Sequence, residues 1–239
     1  MVTFFVADLH LHGGAPAITQ RFLTFLRRQA VRADRLYILG DLFEYWIGDD
    51  APLPGLEELY AELRRINAVG PPIRIMHGNR DFLLGDSFFR QSGCEPLAEP
   101  SVIDLGGEPT LLCHGDALCT DDVEHQQFRQ TTADPAWQSA FLARPIAERQ
   151  ATAKALRAYS RSGEQGKPTA IMDVNQETVA EWMRRHGVRQ MIHGHTHREA
   201  IHDFELDGRP ARRIVLGDWH ADRGSALACT AQGCQFRAC

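Results

Sequence analysis

The chain predicts an α/β fold with a buried, mainly parallel sheet, a second sheet closed by antiparallel strands, and a helical insertion before residue 168. Three observations carry this. Segments rich in Val, Ile, Leu and Phe alternate with amphipathic stretches through residue 76. Short segments of alternating polarity follow residue 200. Between residues 121 and 167 strand signals vanish and helix formers dominate.

Each element follows from its residues. VTFFVA (2–7) is β-branched and aromatic and reads as a strand. ITQRFLTFLRRQAV (18–31) spaces its apolar residues as an amphipathic helix does. RLYIL (35–39) is a second strand, LEELYAELRRI (56–66) a helix, and IRIM (73–76) a third strand. Strands joined by helices pair in parallel and are covered on both faces, so they run continuously apolar. TLLCH (110–114) and QMIHGH (190–195) are also strand-like. IHDFEL, RRIVLG and ALACTA in the tail predict antiparallel strands closing the second sheet. Trp137, Phe141 and Leu142 fall on one helical face. Pro145 suits the first turn of another helix, running toward Leu156 and Tyr159. Residues 121–167 read either as a helical cap inserted in a core of residues 1–120 and 168–239, or as a helical pair packed beside the sheet.

Composition narrows the class. A length of 239 residues suits one sizeable domain or a core with an inserted subdomain. Apolar residues make up 44% and charged residues 24%, the balance of a soluble globular chain. A net charge of -5 is poor for gripping nucleic-acid backbone, so no nucleic-acid partner is expected. The N-terminal apolar run is broken by Asp8 and lacks a basic lead, so it is not a signal peptide. No stretch approaches the roughly 20 apolar residues that span a bilayer. The expectation is a cytoplasmic protein, at most bound to a membrane surface. The six cysteines (94, 113, 119, 229, 234 and 239) contain no C-x-x-C pair and are expected to be free thiols. Cys113, next to His114, is expected to point into the core.

The chemistry lies at the ends of the strands. FFVADLH closes on Asp8-x-His10, LYILGD on Asp41, IRIMHGNR on Asn79, LLCHGD on His114, and QMIHGHTH on His195-x-His197. Sites in α/β sheets gather at strand carboxyl ends. Side chains two apart on a strand share a face, so Asp8 with His10, and His195 with His197, are each expected to grip one centre. Gly40, Gly78, Gly115 and Gly194 flank the ligands and permit tight turns and close approach. Carboxylates, imidazoles and an amide without thiolate suit Mn²⁺, Fe²⁺, Co²⁺ or Zn²⁺. Seven ligands exceed the needs of one ion. Asp41 is the expected bridge between two ions about 3.5–4 Å apart, which would activate water and neutralise phosphate charge.

The order D-x-H, G-D, G-N, H-G, G-H-x-H across residues 5–197 resembles the calcineurin-like metallophosphoesterases. The longer strings GDLFEYWIGDD (40–50), GNRDFLLG (78–85), LCHGDALCTDD (112–122), AIMDVN (170–175) and HGHTHR (193–198) resemble the branch of that family acting in lipid A biosynthesis. The resemblance implies a four-layer α/β/β/α sandwich with a helical cap. It implies two metal ions, manganese by family habit, one held by Asp8, His10, Asp41 and His197, the other by Asp41, Asn79, His114 and His195. The implied reaction splits UDP-2,3-diacylglucosamine into UMP and 2,3-diacylglucosamine 1-phosphate at a membrane surface. Asn79, Arg80, His114 and His195 carry over as catalytic residues. Asn79, Arg80, Asp122, Ser160, Lys167 and His195 carry over as substrate contacts. Position 164 lines the family's pocket as an uncharged amide. Here it is Glu164, and His125 stands where a tyrosine is expected.

Gly78-Asn79-Arg80-Asp81 departs from the G-N-H-[DE] of most relatives in a chemically legible way. Arginine cannot supply a proton at neutral pH, but it binds phosphate as a bidentate fork. That suits a phosphate leaving group, hence a pyrophosphate substrate, over an alkyl monoester. Residues 122–167 hold seven basic and five acidic side chains, an excess of two positive charges beside Trp137, Phe141 and Leu142. Such a surface suits an anionic membrane, although a solvated helix with a buried stripe has the same composition. Two other readings compete: a phosphatase, phosphodiesterase or nuclease of the same superfamily, and a non-catalytic scaffold of the same fold. Arg80 and the acidic net charge oppose the first, and the complete ligand set opposes the second.

Overall fold

A computed structural model describes residues 1–164 and 171–239, without the side chains of residues 161–164. The elements run β1 (Thr3–Val6), α1 (Pro16–Arg28), β2 (Arg35–Leu39), α2 (Glu57–Val69), β3 (Ile73–Met76), α3 (Asp86–Ser92), β4 (Glu95–Leu97), β5 (Ser101–Leu105) and β6 (Glu108–Leu112). Three consecutive helices follow, α4 (Val123–Ala133), α5 (Pro135–Leu142) and α6 (Ile146–Glu164). The chain then returns through α7 (Gln176–His186), β7 (Gln190–His193), β8 (Ala200–Leu206), β9 (Arg209–Val215), β10 (Ser225–Thr230) and β11 (Gly233–Ala238).

One sheet has the order β11-β10-β1-β2-β3-β4 and the other β5-β6-β7-β9-β8. Strands β1 to β4 pair in parallel, as do β6, β7 and β9. Alternation of side chains builds the layers. Phe4 and Val6 face α1 and α2, packing with Phe22, Leu26 and Leu63. Phe5 and Ala7 face the other way and meet Leu112, Ile192 and Ile214 of the second sheet. Val179 and Met183 of α7 cover the far face against Leu111 and Met191. The result is α/β/β/α, each fully buried apolar side chain contributing about 1.5–3 kcal/mol. Helix α7 is capped at both ends: the Asn175 side chain accepts from the Glu177 and Thr178 amides, and Gly187 closes it with φ 66°.

Three expectations change. ALACTA does not close the second sheet. It forms β10, which pairs antiparallel with β1 and carries β11 at the edge of the first sheet. The β8–β9 hairpin closes the second sheet. Both hairpins show the same alternation, and alternation does not say which edge a strand joins. Cys229 and Cys234 are not free thiols. They sit at facing positions of the β10–β11 hairpin with Cα atoms 4.0 Å apart and are disulfide-bonded. Cys94, Cys113, Cys119 and Cys239 are free, and Cys113 is fully buried as expected.

Leu142 is the third. Trp137 and Phe141, one turn apart on α5, stack at 5.1 Å and pack on the α1–α2 cluster. Leu142, a further 100° round the helix, is 39% exposed. Among the described residues no helix is long and apolar enough to cross a membrane.

Candidate metal centre

The seven predicted ligands converge beyond the carboxyl ends of β1, β2, β3, β6 and β7, but not by strand alternation. β1 stops at Val6 and β7 at His193, so both D-x-H and H-x-H lie past the strands. Asp8, His10, Asp41, His195 and His197 are instead left-handed, with φ of 54°, 50°, 51°, 67° and 57°. Such a conformation costs a non-glycine residue about 1–3 kcal/mol and persists only where the surroundings enforce it. Here the Asp8 amide donates to the Gly40 carbonyl (3.2 Å), the His10 amide to the Asp41 carbonyl (3.0 Å), and the His195 amide to Asp8 Oδ2 (2.8 Å). Two glycines make room for this crowding. A Cβ on Gly78 would lie 2.1 Å from Asp41 Oδ1, and one on Gly194 would lie 2.4 Å from Asp8 Oδ2.

The ligand atoms form two adjoining groups. Asp8 Oδ1 and His10 Nε2 each lie 3.3 Å from His197 Nε2. His114 Nε2 and His195 Nδ1 approach Asn79 Oδ1 at 2.9 and 3.1 Å. Asp41 stands between: Oδ1 is 3.7 Å from His114 Nε2, and Oδ2 is 3.9 Å from His10 Nδ1. Ligand atoms of Asp8, His10 and His197, and of Asp8, Asp41 and His114, fall within 4.8 Å of one another.

The electrostatics suit cations. Burial pushes the Asp41 carboxyl up, although His114 and Arg80 oppose it. Burial works against charge on His114 and His197, yet Asp41 and Asp8 hold His114 up at about 9, and Asp8 with Asp218 holds His197 up at about 10. His10 and His195 are driven well below the ordinary value, chiefly by burial. His10 and His195 are thus kept neutral, while the buried carboxylates draw positive charge onto His114 and His197, a demand that divalent ions could meet instead.

A cavity of about 450 Å³ opens from this centre. Asn79, Arg80, Asp122, Ser160 and His195, the expected substrate contacts, are among the residues that line it. Asp122 also caps α4, its Oδ1 accepting from the His125 amide at 3.1 Å. The His125 ring stacks on His195 at 5.2 Å. The side chain of Glu164 and all of Lys167 lie outside the described residues.

Sequence reasoning missed three carboxylates that the structure places around the ligands. Asp81 accepts from the Gly78 amide (2.8 Å) and the Phe43 amide (3.2 Å), clamping two ligand loops together. Burial and the neighbouring Asp41 push it up to about 6. Asp218 Oδ2 lies 3.4 Å from His197 Nδ1 and orients that ring from behind. A signal for Asp218 was available: Leu216-Gly217-Asp218 after β9 repeats the Leu39-Gly40-Asp41 on which β2 ends. Glu44 binds both Arg80 and Arg157. It stands inside a string already singled out, but nothing local to it marks a site.

Comparison with known proteins places the chain. Residues 1–199 match the calcineurin-like phosphoesterase domain. A protein of Nitrosococcus oceani named UDP-2,3-diacylglucosamine hydrolase is 52% identical over 99% of this chain and 94% of its own. One of the same name from Escherichia coli is 49% identical over 97% and 96%. The solved structure of an archaeal phosphodiesterase, 10% identical, superposes over 100% of this chain and 99% of its own with a TM-score of 0.50, a likeness of fold. With that domain matched over most of its length, the chain belongs to the calcineurin-like phosphoesterase family.

Proposed function

We propose that the protein hydrolyses the pyrophosphate bond of UDP-2,3-diacylglucosamine, yielding UMP and 2,3-diacylglucosamine 1-phosphate for lipid A biosynthesis. The observation that carries this is a single cavity with two chemistries. Its lining includes Asp41, Asn79, His195 and His197 of the candidate metal centre together with Arg80, and also Trp46, Phe82, Phe128, Trp137, Phe141 and Leu156. Charged and aromatic walls in one cavity suit a phosphate attached to acyl chains. The names of relatives at about half identity support the same substrate. A scaffold without catalysis has no need to bring seven ligands together.

Asp8, His10, Asp41 and His197 would hold one ion, and Asp41, Asn79, His114 and His195 the other, with Mn²⁺ the expected metal. Bound there, two divalent ions supply an activated water and neutralise phosphate charge. The protein supplies the rest. Asn79 and His195 orient the attacked phosphate, and Arg80 receives the phosphate that leaves. Asp122 and Ser160, with Glu164 and Lys167, bind the sugar side. Residues 121–167 act as a cap over the lipid. Val123 and Tyr159 on that segment are 63% and 61% exposed. Beside its basic side chains they suit peripheral contact with the cytoplasmic face of the inner membrane.

Chelation should abolish turnover, and Mn²⁺ should restore it best among Mn²⁺, Co²⁺, Zn²⁺ and Mg²⁺, measured on the metal-stripped protein. Full activity without metal overturns the reading. In ¹⁸O-water the label should appear in UMP, because water attacks the α-phosphorus. Mass spectrometry that finds it in the lipid phosphate reverses the leaving-group assignment.

A further inference from the structure

We propose that Glu44 is a positioning residue that aims Arg80 at the leaving phosphate and ties it to helix α6 through Arg157. The inference rests on the proposed pyrophosphate cleavage. Glu44 Oε2 accepts from Arg80 Nη1 at 2.9 Å. Its Oε1 accepts from Arg157 Nε at 2.9 Å, and Arg157 Nη2 forms an ion pair with the same oxygen at 2.9 Å. One carboxylate therefore holds two guanidiniums, one from the loop after β3 and one from α6, three residues before the cavity-lining Ser160.

The mounting is rigid. The Glu44 amide donates to the Leu11 carbonyl at 3.1 Å. The preceding Phe43 is fully buried, with its ring against Trp46 (4.9 Å) and Phe88 (5.6 Å). On α6 itself, Arg149 is bonded to Asp50 and to the Ile47 carbonyl, which fixes the helix to the same stretch of core.

The geometry gives Glu44 two effects on Arg80. It fixes Nη1, so that among the described residues the Nη2 edge is left for a ligand. It also balances Asp41, whose Oδ2 forms an ion pair with Arg80 Nε at 3.2 Å. Without Glu44 the guanidinium would have Asp41 as its one carboxylate partner among the described residues, would turn further from the phosphate and would compete more strongly for a metal-binding carboxylate. A displacement of about 1 Å in such a group can cost about 10²-fold in rate. Arg157 carries the same restraint to the cap, so the helix that presents Ser160 also holds the phosphate-binding arginine in place.

The test is a double-mutant cycle read as kcat and KM on UDP-2,3-diacylglucosamine, with manganese content per chain measured in parallel. Glu44→Gln, nearly isosteric, should lower kcat about 10- to 100-fold with little change in KM or in metal content. In an Arg80→Ala background the same change should cost several-fold less, because Glu44 acts chiefly through Arg80; its Oε2 is also 3.7 Å from His10 Nδ1, and a loss arising there would appear as lower manganese content. Arg157→Met, which keeps the apolar stem, should give a smaller loss that is likewise reduced in that background. Equal losses with and without Arg80 indicate a general structural role and overturn the inference. If the wild type does not turn over the UDP-lipid, the proposed function falls, and the inference with it. If the wild type is active and the losses add, the inference alone falls.

Discussion

Asp41→Ala is expected to empty both metal positions and to end turnover. The carboxylate is fully buried between the two groups of ligands, with one oxygen toward His114 and the other toward His10. A shared ligand serves two ions at once, whereas every other ligand serves one. The loss in kcat should therefore exceed the roughly 10²–10³-fold that follows removal of a single donor to the transition state. Metal analysis of purified variants is the direct measure. Asp41→Ala should retain neither ion, while His10→Ala and His195→Ala should each retain one. An Asp41→Ala protein that keeps one ion at wild-type affinity refutes the bridge.

Much of this centre was legible because strands announce themselves. β2 and β3 begin and end where RLYIL and IRIM do. The residue following each apolar run then marks the strand end, where a parallel sheet collects its ligands. The reason first given for D-x-H and H-x-H was nevertheless not the operative one. The paired ligands share a centre because their backbones are left-handed, held by hydrogen bonds from distant loops, and side-chain period does not report this. The tail was legible as hairpins but not as to sheet, because β10 buries Ala226 and Ala228 on one face and Leu227 and Cys229 on the other. The Cys229–Cys234 pairing is a matter of cross-strand register, which spacing alone does not fix. Glu44 meets Arg157 across 113 residues and nothing local marks it, whereas Asp218 follows a strand as a Gly-Asp pair, a signal that went unused because it lies beyond the last histidine of the motif series.

Arg80→Ala is expected to lower kcat on the UDP-lipid by roughly 10²–10³, the scale of losing one preorganised charge at the transition state. Arg80 lines the cavity, its Nη1 2.9 Å from Glu44 Oε2 and its Nε 3.2 Å from Asp41 Oδ2. Its proposed role is to meet charge that grows on the departing phosphate. Phosphate leaves readily as an anion and gains more from a guanidinium fork than from a proton. Metal content should not fall, since Arg80 offers no lone pair and its removal frees Asp41 of a competing cation. Arg80→His should recover little on the pyrophosphate, because imidazole lacks the fork. On alkyl phosphodiesters, whose alkoxide leaving groups need a proton, Arg80→His should instead exceed the wild type. The measurement is kcat and KM of wild type and both variants on both substrates. A rise in KM alone for Arg80→Ala would mean that Arg80 binds the ground state as tightly as the transition state. In that case the leaving-group argument, and with it the chemical reason for Gly78-Asn79-Arg80 in place of G-N-H, does not hold.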